Sequence, residues 1–415
     1  MADAVTSRRR WFKFSLRTFL LTWMAAAVWL GWWIHAARQQ REAVANIQSL
    51  TSTWWSKAAS IDYSYQIVDE ERPDTRPNSD PNAASWAPRF ALKSLGKDSF
   101  HNVVSVFVWR SKQGKELELA VELARLRNLR RLVFLYVDVT DAMVERLAGL
   151  RQLQSLELHG DALSDEALRL ISSLPRLQAL RIRGDFTDAG LAHLKRVRTL
   201  KSLEIDSPHI TDQGLAHLSR LLDLELLSLS STQLTEQGFE KLAACTKLSI
   251  LSLRPYWYVT DDDLRGIAAN SALEDLDFSA TNITDVGVQH LSGLTNLRRL
   301  DLTNARITND AMPFIARLTN LVEIELGGTR LTDDAIPFLA QLPKLEEIDL
   351  DDARVTTVGL EQFKASPKLR SLQVFSTFRN DLINLLTPFA KPRGFNANDV
   401  NRLKQALPGC TVYYY

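Results

Sequence analysis

Apolar and polar positions recur along most of this chain in one repeated frame. From Leu129 onward each unit reads L-x-x-L-x-L, five further residues, a hydrophobic residue, Thr-Asp, a glycine or other small residue, and then leucines three apart. The first leucines fall at Leu129, Leu153, Leu177, Leu200, Leu224, Leu248, Leu273, Leu297, Leu321, Leu345 and Leu369, a spacing of 24 broken by one 23 and one 25. L-x-x-L-x-L alternates at its end as a short strand does, whereas a run such as Gly214-Leu215-Ala216-His217-Leu218 carries the spacing of a helix. Neither element buries its apolar face alone, so the pattern predicts an α/β solenoid of stacked units, with a parallel sheet on the concave side and helices on the convex side. Val103, Val106 and Val108 fit an earlier, degenerate unit. The repeats thus occupy 103–374, and 375–415 reads as an insertion followed by a capping repeat over 395–412.

The front end follows different rules: only 7 of the 66 leucines lie in the first 100 residues. Residues 18–37 hold no Asp, Glu, Lys or Arg, and twenty helical residues at about 1.5 Å each span about 30 Å, the thickness of a bilayer core. Arg8, Arg9, Arg10, Lys13 and Arg17 precede this stretch, against only Arg38 and Arg41 close behind it. The expectation is a signal-anchor: a basic cytoplasmic stub over 1–17, a transmembrane helix over 18–37, and repeats on the periplasmic or extracellular side. Apolar sequence continues past Ala25, Ala26 and Ala27, which argues against a cleaved signal peptide. Residues 38–102 then read as a juxtamembrane segment and linker, with a short helix over 41–50 and a polar run over 69–88 that holds four prolines.

Composition narrows the function classes. The 415 residues are 45% hydrophobic, and 50 Lys and Arg against 49 Asp and Glu leave a formal charge of +1. That excludes wholesale disorder and argues against a generally basic nucleic-acid binder. Two cysteines exclude a disulfide scaffold. No phosphate-binding glycine loop, H-E-x-x-H or G-x-S-x-G is present, so no enzyme activity, catalytic residue, cofactor or metal is expected.

The frame resembles leucine-rich repeats of the Thr-Asp-x-Gly-Leu type, related in pattern to the cysteine-containing repeats of F-box proteins but without their cysteines. The start Phe14-Ser15-Leu16-Arg17-Thr18-Phe19-Leu20 and the closing Leu407-Pro408-Gly409-Cys410 are similar to those of membrane-anchored planctomycete-type leucine-rich-repeat proteins. The resemblance implies protein binding without catalysis.

Three sets of residues invite chemistry. Asp141, Asp165, Asp188, Asp212, Glu236, Asp261, Asp285 and Asp333 recur beside a row of threonines or serine, from Thr140 and Ser164 to Thr356. Helix capping by the hydroxyl, with the acid facing the positive end of the helix dipole, accounts for this row better than calcium binding. His193, His217 and His290 share one helix position but lack the third and fourth ligands that zinc needs. Cys245 and Cys410 stand about seven repeats apart, on the order of 33 Å at about 4.8 Å per strand, too far for a disulfide.

The third, fifth, seventh and eighth positions of each repeat are expected to face solvent on the concave sheet. In the four repeats from Leu273 to Leu345 they include Asp275, Asp277, Asp301, Glu323, Glu325, Glu347, Asp349, Asp351 and Asp352, against one base, Arg299. At the N-terminal end the same positions hold Phe107, Trp109, Arg131, Val133, Leu135, Tyr136, Arg181 and Arg183, an aromatic and mildly basic set. The reading is a membrane-anchored recognition module whose acidic patch binds a partner protein with a basic segment. Its rivals are an envelope element that self-associates and a soluble adaptor of ubiquitin-ligase type.

Overall fold

The computed structural model describes residues 16–51, 59–63, 103–230, 234–253, 259–374 and 397–413. Among these, fourteen strands form a single sheet whose spatial order is the order of the chain. The twelve pairings from Val103–Val108 to Thr411–Tyr413 are parallel. Register follows the frame: Leu156, Leu180, Leu203, Leu227 and Leu251 pair in sequence, each at most 2% exposed. A slip of one residue would turn this leucine row to solvent, so the apolar pattern fixes the register. The strand leucines and the leucines of the helices join in one continuous core.

Two strand geometries divide the sheet. Strands Ser155–His159, Ala179–Arg183, Ser202–Asp206 and Leu226–Ser230 are five residues long. Strands Asp275–Asp277, Arg299–Asp301, Glu323–Glu325 and Glu347–Asp349 have only three. In the short ones the chain turns early, through a left-handed residue at the eighth position: Ala280 (φ 58°), Asn304 (60°), Gly328 (68°) and Asp352 (55°). An aspartate at the fifth position stabilises the turn where it occurs. Asp277 Oδ1 accepts from the Ser279 N–H (3.0 Å), Asp301 Oδ1 from Thr303 (2.9 Å) and Asp349 Oδ1 from Asp351 (2.7 Å).

The Thr-Asp-x-Gly motif acts between repeats as well as within them. Ser164, Thr187, Thr211, Thr284 and Thr308 accept from N–H groups of their own helix, as capping predicts, at 3.2–3.3 Å. Shorter bonds run to the neighbouring repeat. Thr187 donates its N–H (2.8 Å) and hydroxyl (2.6 Å) to the two oxygens of Asp165, and Thr211 does the same to Asp188 (2.9 and 2.6 Å). The glycine belongs to this arrangement, since a Cβ on Gly190 would lie 2.1 Å from Asp165 Oδ1. At Glu236 the relay stops, because the longer side chain turns to Arg265 instead (3.3 Å). Thr260 is then served by Asp263 of its own repeat, which accepts its N–H at 2.8 Å and its hydroxyl at 3.0 Å. Burial pushes the Asp263 carboxyl up, against these bonds.

The front end requires a correction. Residues 18–37 lie inside one helix, Leu16–Leu50, and among the described residues no helix is long and apolar enough to cross a membrane. The expected transmembrane helix and the single-pass placement with a cytoplasmic N-terminus are overturned, and with them goes the ground for membrane contact through 18–37. Absence of charge is not apolarity: the stretch interleaves Thr18, Thr22, Gly31 and His35 with Trp23, Trp29, Trp32 and Trp33, and neither hydroxyls nor indole N–H groups favour hydrocarbon. The predicted helix over 41–50 is the last part of this longer one. Its Ala43, Val44 and Ile47 are buried in the repeat core, beside helix Glu116–Ala124. Strand Ala59–Tyr63 then pairs antiparallel with Val103–Val108, the one reversed strand of the sheet. Residues 1–15 of the stub expected over 1–17, the polar run 69–88, the insertion 375–396 and Tyr414 and Tyr415 lie outside the described residues.

Candidate functional site

The concave sheet falls into three zones. At the N-terminal end, Arg131 places its guanidinium carbon 5.1 Å from the centre of the Phe107 ring, a cation–π contact on neighbouring strands. Trp109 is 49% exposed and Tyr136 is 82% exposed. Tyr136 also holds a left-handed backbone (φ 56°), a conformation costing roughly 1–2 kcal/mol for a residue with a Cβ. Val133, grouped with these residues by its frame position, is buried.

The middle zone is not basic. Arg181 lies 3.3 Å from Glu204 and 3.7 Å from Glu157, and Arg183 lies 3.6 Å from Asp206. Their charges are answered by acids on adjacent strands. Together with Leu226, Ser228, Ile250 and Ser252 they line a shallow concavity of about 460 Å³.

In the C-terminal zone seven of the nine acids occupy consecutive strands in register, Asp275 beside Arg299 beside Glu323 beside Glu347 and Asp277 beside Asp301 beside Glu325 beside Asp349, and Asp351 and Asp352 stand in the turn after the last of these strands. The structure brings them together but does not expose them equally. Asp277 and Asp301 are buried, at 2% and 4% exposure, with an oxygen of each engaged by the turn amide. The sequence signal for this was available in the aspartate two residues before Ser279 and Thr303, a spacing that favours a side-chain-to-backbone turn. Glu347 is exposed, and Glu323, Glu325, Asp349, Asp351 and Asp352 are half-buried.

Arg299 is the hub of this zone. Its guanidinium reaches Glu323 at 3.1 Å, Asp275 at 3.3 Å and Glu325 at hydrogen-bond contact. Burial works against its charge, but the bonds it donates to Glu323 and Glu325 prevail and hold its pKa above the usual range. Burial is also the leading cause that raises the carboxyls of Asp275, Glu325 and Asp349 above the ordinary value, with Arg299 opposing it at Asp275 and Glu325 and the Asp351 N–H opposing it at Asp349. One cation for nine acids leaves this zone strongly negative. The cysteines take no part in it: both thiols are free, and burial pushes each up to about 11.

No protein-family model and no curated protein matches the chain. Solved structures do. An internalin from Listeria monocytogenes is similar at 19% identity and a TM-score of 0.42, over 60% of this chain and 82% of its own. A leucine-rich-repeat protein of Leptospira interrogans is similar at 17% identity and a TM-score of 0.40, over 70% and 86%. Likeness at this level carries no functional argument. The repeat architecture rests on the strand register described above, and neither comparison bears on the planctomycete-type resemblance.

Proposed function

We propose that the chain is a protein-recognition module that holds a basic segment of a partner protein against the C-terminal half of its concave sheet. The observation that supports this is the stacking of seven acids on four consecutive strands, with Asp351 and Asp352 in the turn that follows, around the single base Arg299. Like charges at strand spacing repel, and a cationic ligand relieves that repulsion on binding. The exposed Trp109 and Tyr136 supply aromatic anchors toward the other end of the same face, residue types enriched where partners bind. Side chains that hold the fold are poor probes, since Asp277, Asp301 and Asp349 secure turns.

The test therefore neutralises Glu347, Asp351 and Asp352 together, as Glu347→Gln, Asp351→Asn and Asp352→Asn. Asparagine is tolerated at the left-handed backbone of residue 352. Binding of a lysine- and arginine-rich peptide by the full chain is expected to weaken about tenfold or more in this variant, and to weaken in the parent as salt rises. Unchanged peptide binding with the fold intact would remove the proposal.

A further inference from the structure

A second charged surface, separate from the acidic zone, runs along the turns that lead from each helix into the next strand. In the first four repeats with the leucine frame, this three-residue turn contributes one arginine each: Arg127, Arg151, Arg176 and Arg198. All four are exposed. At about 4.8 Å per strand they form a row on the order of 14 Å long. The row ends in a cleft of about 720 Å³ between the turn of Arg198 and the next, lined by Lys195, Arg196, Arg198, Arg220, Leu222 and Asp223.

What marks this row is how differently the same turns are used later in the chain. There the polar side chains bridge neighbouring repeats: Asn296 donates to the Ser271 carbonyl (2.9 Å), Asn320 to the Thr295 carbonyl (2.7 Å), and Lys344 to Asn320 (2.6 Å). In the early turns Thr199 donates to the Leu177 carbonyl (2.6 Å) and Arg176 to the neutral Gln152 (2.7 Å), but the other three arginines of the row make no such bridge among the described residues. Among the described residues, Arg127, Arg151, Arg196, Arg198 and Arg220 have no acid partner. The one acid in the cleft, Asp223, is held by Lys247 at 2.6 Å. A row of cations without ion-pair partners among the described residues repels itself.

We infer that this edge binds a linear polyanion carrying sulfate or phosphate groups and no bases. Guanidinium groups present paired N–H donors that match the oxygens of such groups. A single strand of nucleic acid would also ask for aromatic faces on which bases stack. The cleft offers none, and its one apolar side chain is Leu222, 61% exposed. The row and the acidic sheet lie on different repeats, so the two ligands would not compete.

The experiment titrates the full chain with heparin and with inorganic polyphosphate, measuring affinity at two salt concentrations, with single-stranded oligothymidine as the base-bearing comparison. Binding of either of the first two polymers, weakening about tenfold between 50 and 200 mM salt, is expected, and the tighter of them tells sulfate from phosphate. The variant Arg151→Ala, Arg198→Ala, Arg220→Ala is expected to lose about tenfold in affinity, whereas Lys344→Ala, Lys368→Ala, Arg370→Ala, with the same change of net charge on the same edge further along, changes it less than about twofold. Melting temperatures near the parent's verify that both variants fold. The inference is overturned if neither polymer binds, if both variants lose affinity equally, or if oligothymidine binds as tightly as the better polymer.

Discussion

An aspartate in the first turn of a helix is ordinarily explained by that helix's own dipole. Asp188 shows a second use, because both of its oxygens are occupied by Thr211 of the following repeat. Replacing it by alanine leaves the half-buried Thr211 N–H without this acceptor, and a loss of about 1–3 kcal/mol in unfolding free energy is expected. Glu236 holds the same frame position without the bonds to the next threonine, its one side-chain link to the next repeat being a partly exposed ion pair with Arg265, and Glu236→Ala is expected to cost no more than about 0.5 kcal/mol. Chemical denaturation of the two variants side by side measures the difference; equal losses would mean that the relay adds nothing beyond capping. The hydroxyl row was legible in the sequence, and so was its capping role at Ser164, Thr187, Thr211, Thr284, Thr308 and Thr356, whereas Thr140, Thr235 and Thr332 make no side-chain cap bond. The reach of the acid into the next repeat was not, since spacing within one unit says nothing about which side chains two units bring together. The swap at Thr260 illustrates this: Asp263 stands where the other repeats carry glycine, alanine or, once, Met143, an oddity in the sequence that acquires a reason only once Glu236 is seen to leave Thr260 unserved.

For the strands, pattern predicted existence and register well and electrostatics less well. Leucine spacing places the strand cores from Arg131–Phe134 to Ser371–Gln373 but not strand Ala59–Tyr63, which falls in the segment read as a linker, and Gly328 at the eighth position marks a left-handed turn. Charges read one strand at a time mislead. Arg181 and Arg183 suggest a basic sheet until Glu157, Glu204 and Asp206 are set beside them on adjoining strands. The acidic strands carry a testable consequence for pH. Burial raises the carboxyls of Asp275, Glu325 and Asp349, so each binds more protons in the folded than in the unfolded chain above the ordinary carboxylate value of about 4. Their contribution to stability therefore falls as pH rises through that window and is regained as pH is lowered. The melting temperature is expected to rise on going from pH 7 toward about pH 5. Asp349→Asn, which keeps an oxygen for the Asp351 N–H, is expected to raise the melting temperature at pH 7 and to flatten part of this dependence; a fall at pH 7 would show that the charge of Asp349 is stabilising.

At the scale of the whole molecule, the near-zero net charge is a sum of opposed surfaces: a row of arginines along the early turns, neutral pairing in the middle of the sheet, and acids on the late strands. The solenoid keeps these apart because each unit contacts only its neighbours, so a charge placed on one repeat stays at its own station along the sheet. The front end was the least legible part. Its charge-free stretch pointed to a membrane, whereas the apolar residues that matter to the repeats, Ala43, Val44 and Ile47, sit beyond it in a segment whose composition looked unremarkable.

That packing determines where the chain can be divided. The sequence invites a cut just before Val103, where the repeating pattern begins. The helix ending at Leu50 and the strand Ala59–Tyr63 nevertheless cover the first repeat, as the terminal units of a stacked array must cover its otherwise bare apolar end. A fragment begun at residue 103 would uncover Leu119, Ala120 and Leu123 and the outer edge of strand Val103–Val108. It is expected to bind a hydrophobic dye and sediment as aggregates, while one begun at residue 38 remains dispersed. Equal behaviour of the two fragments in sedimentation would show that the lead-in is dispensable; the expected contrast would make it the first component of the repeat domain rather than a tether to it.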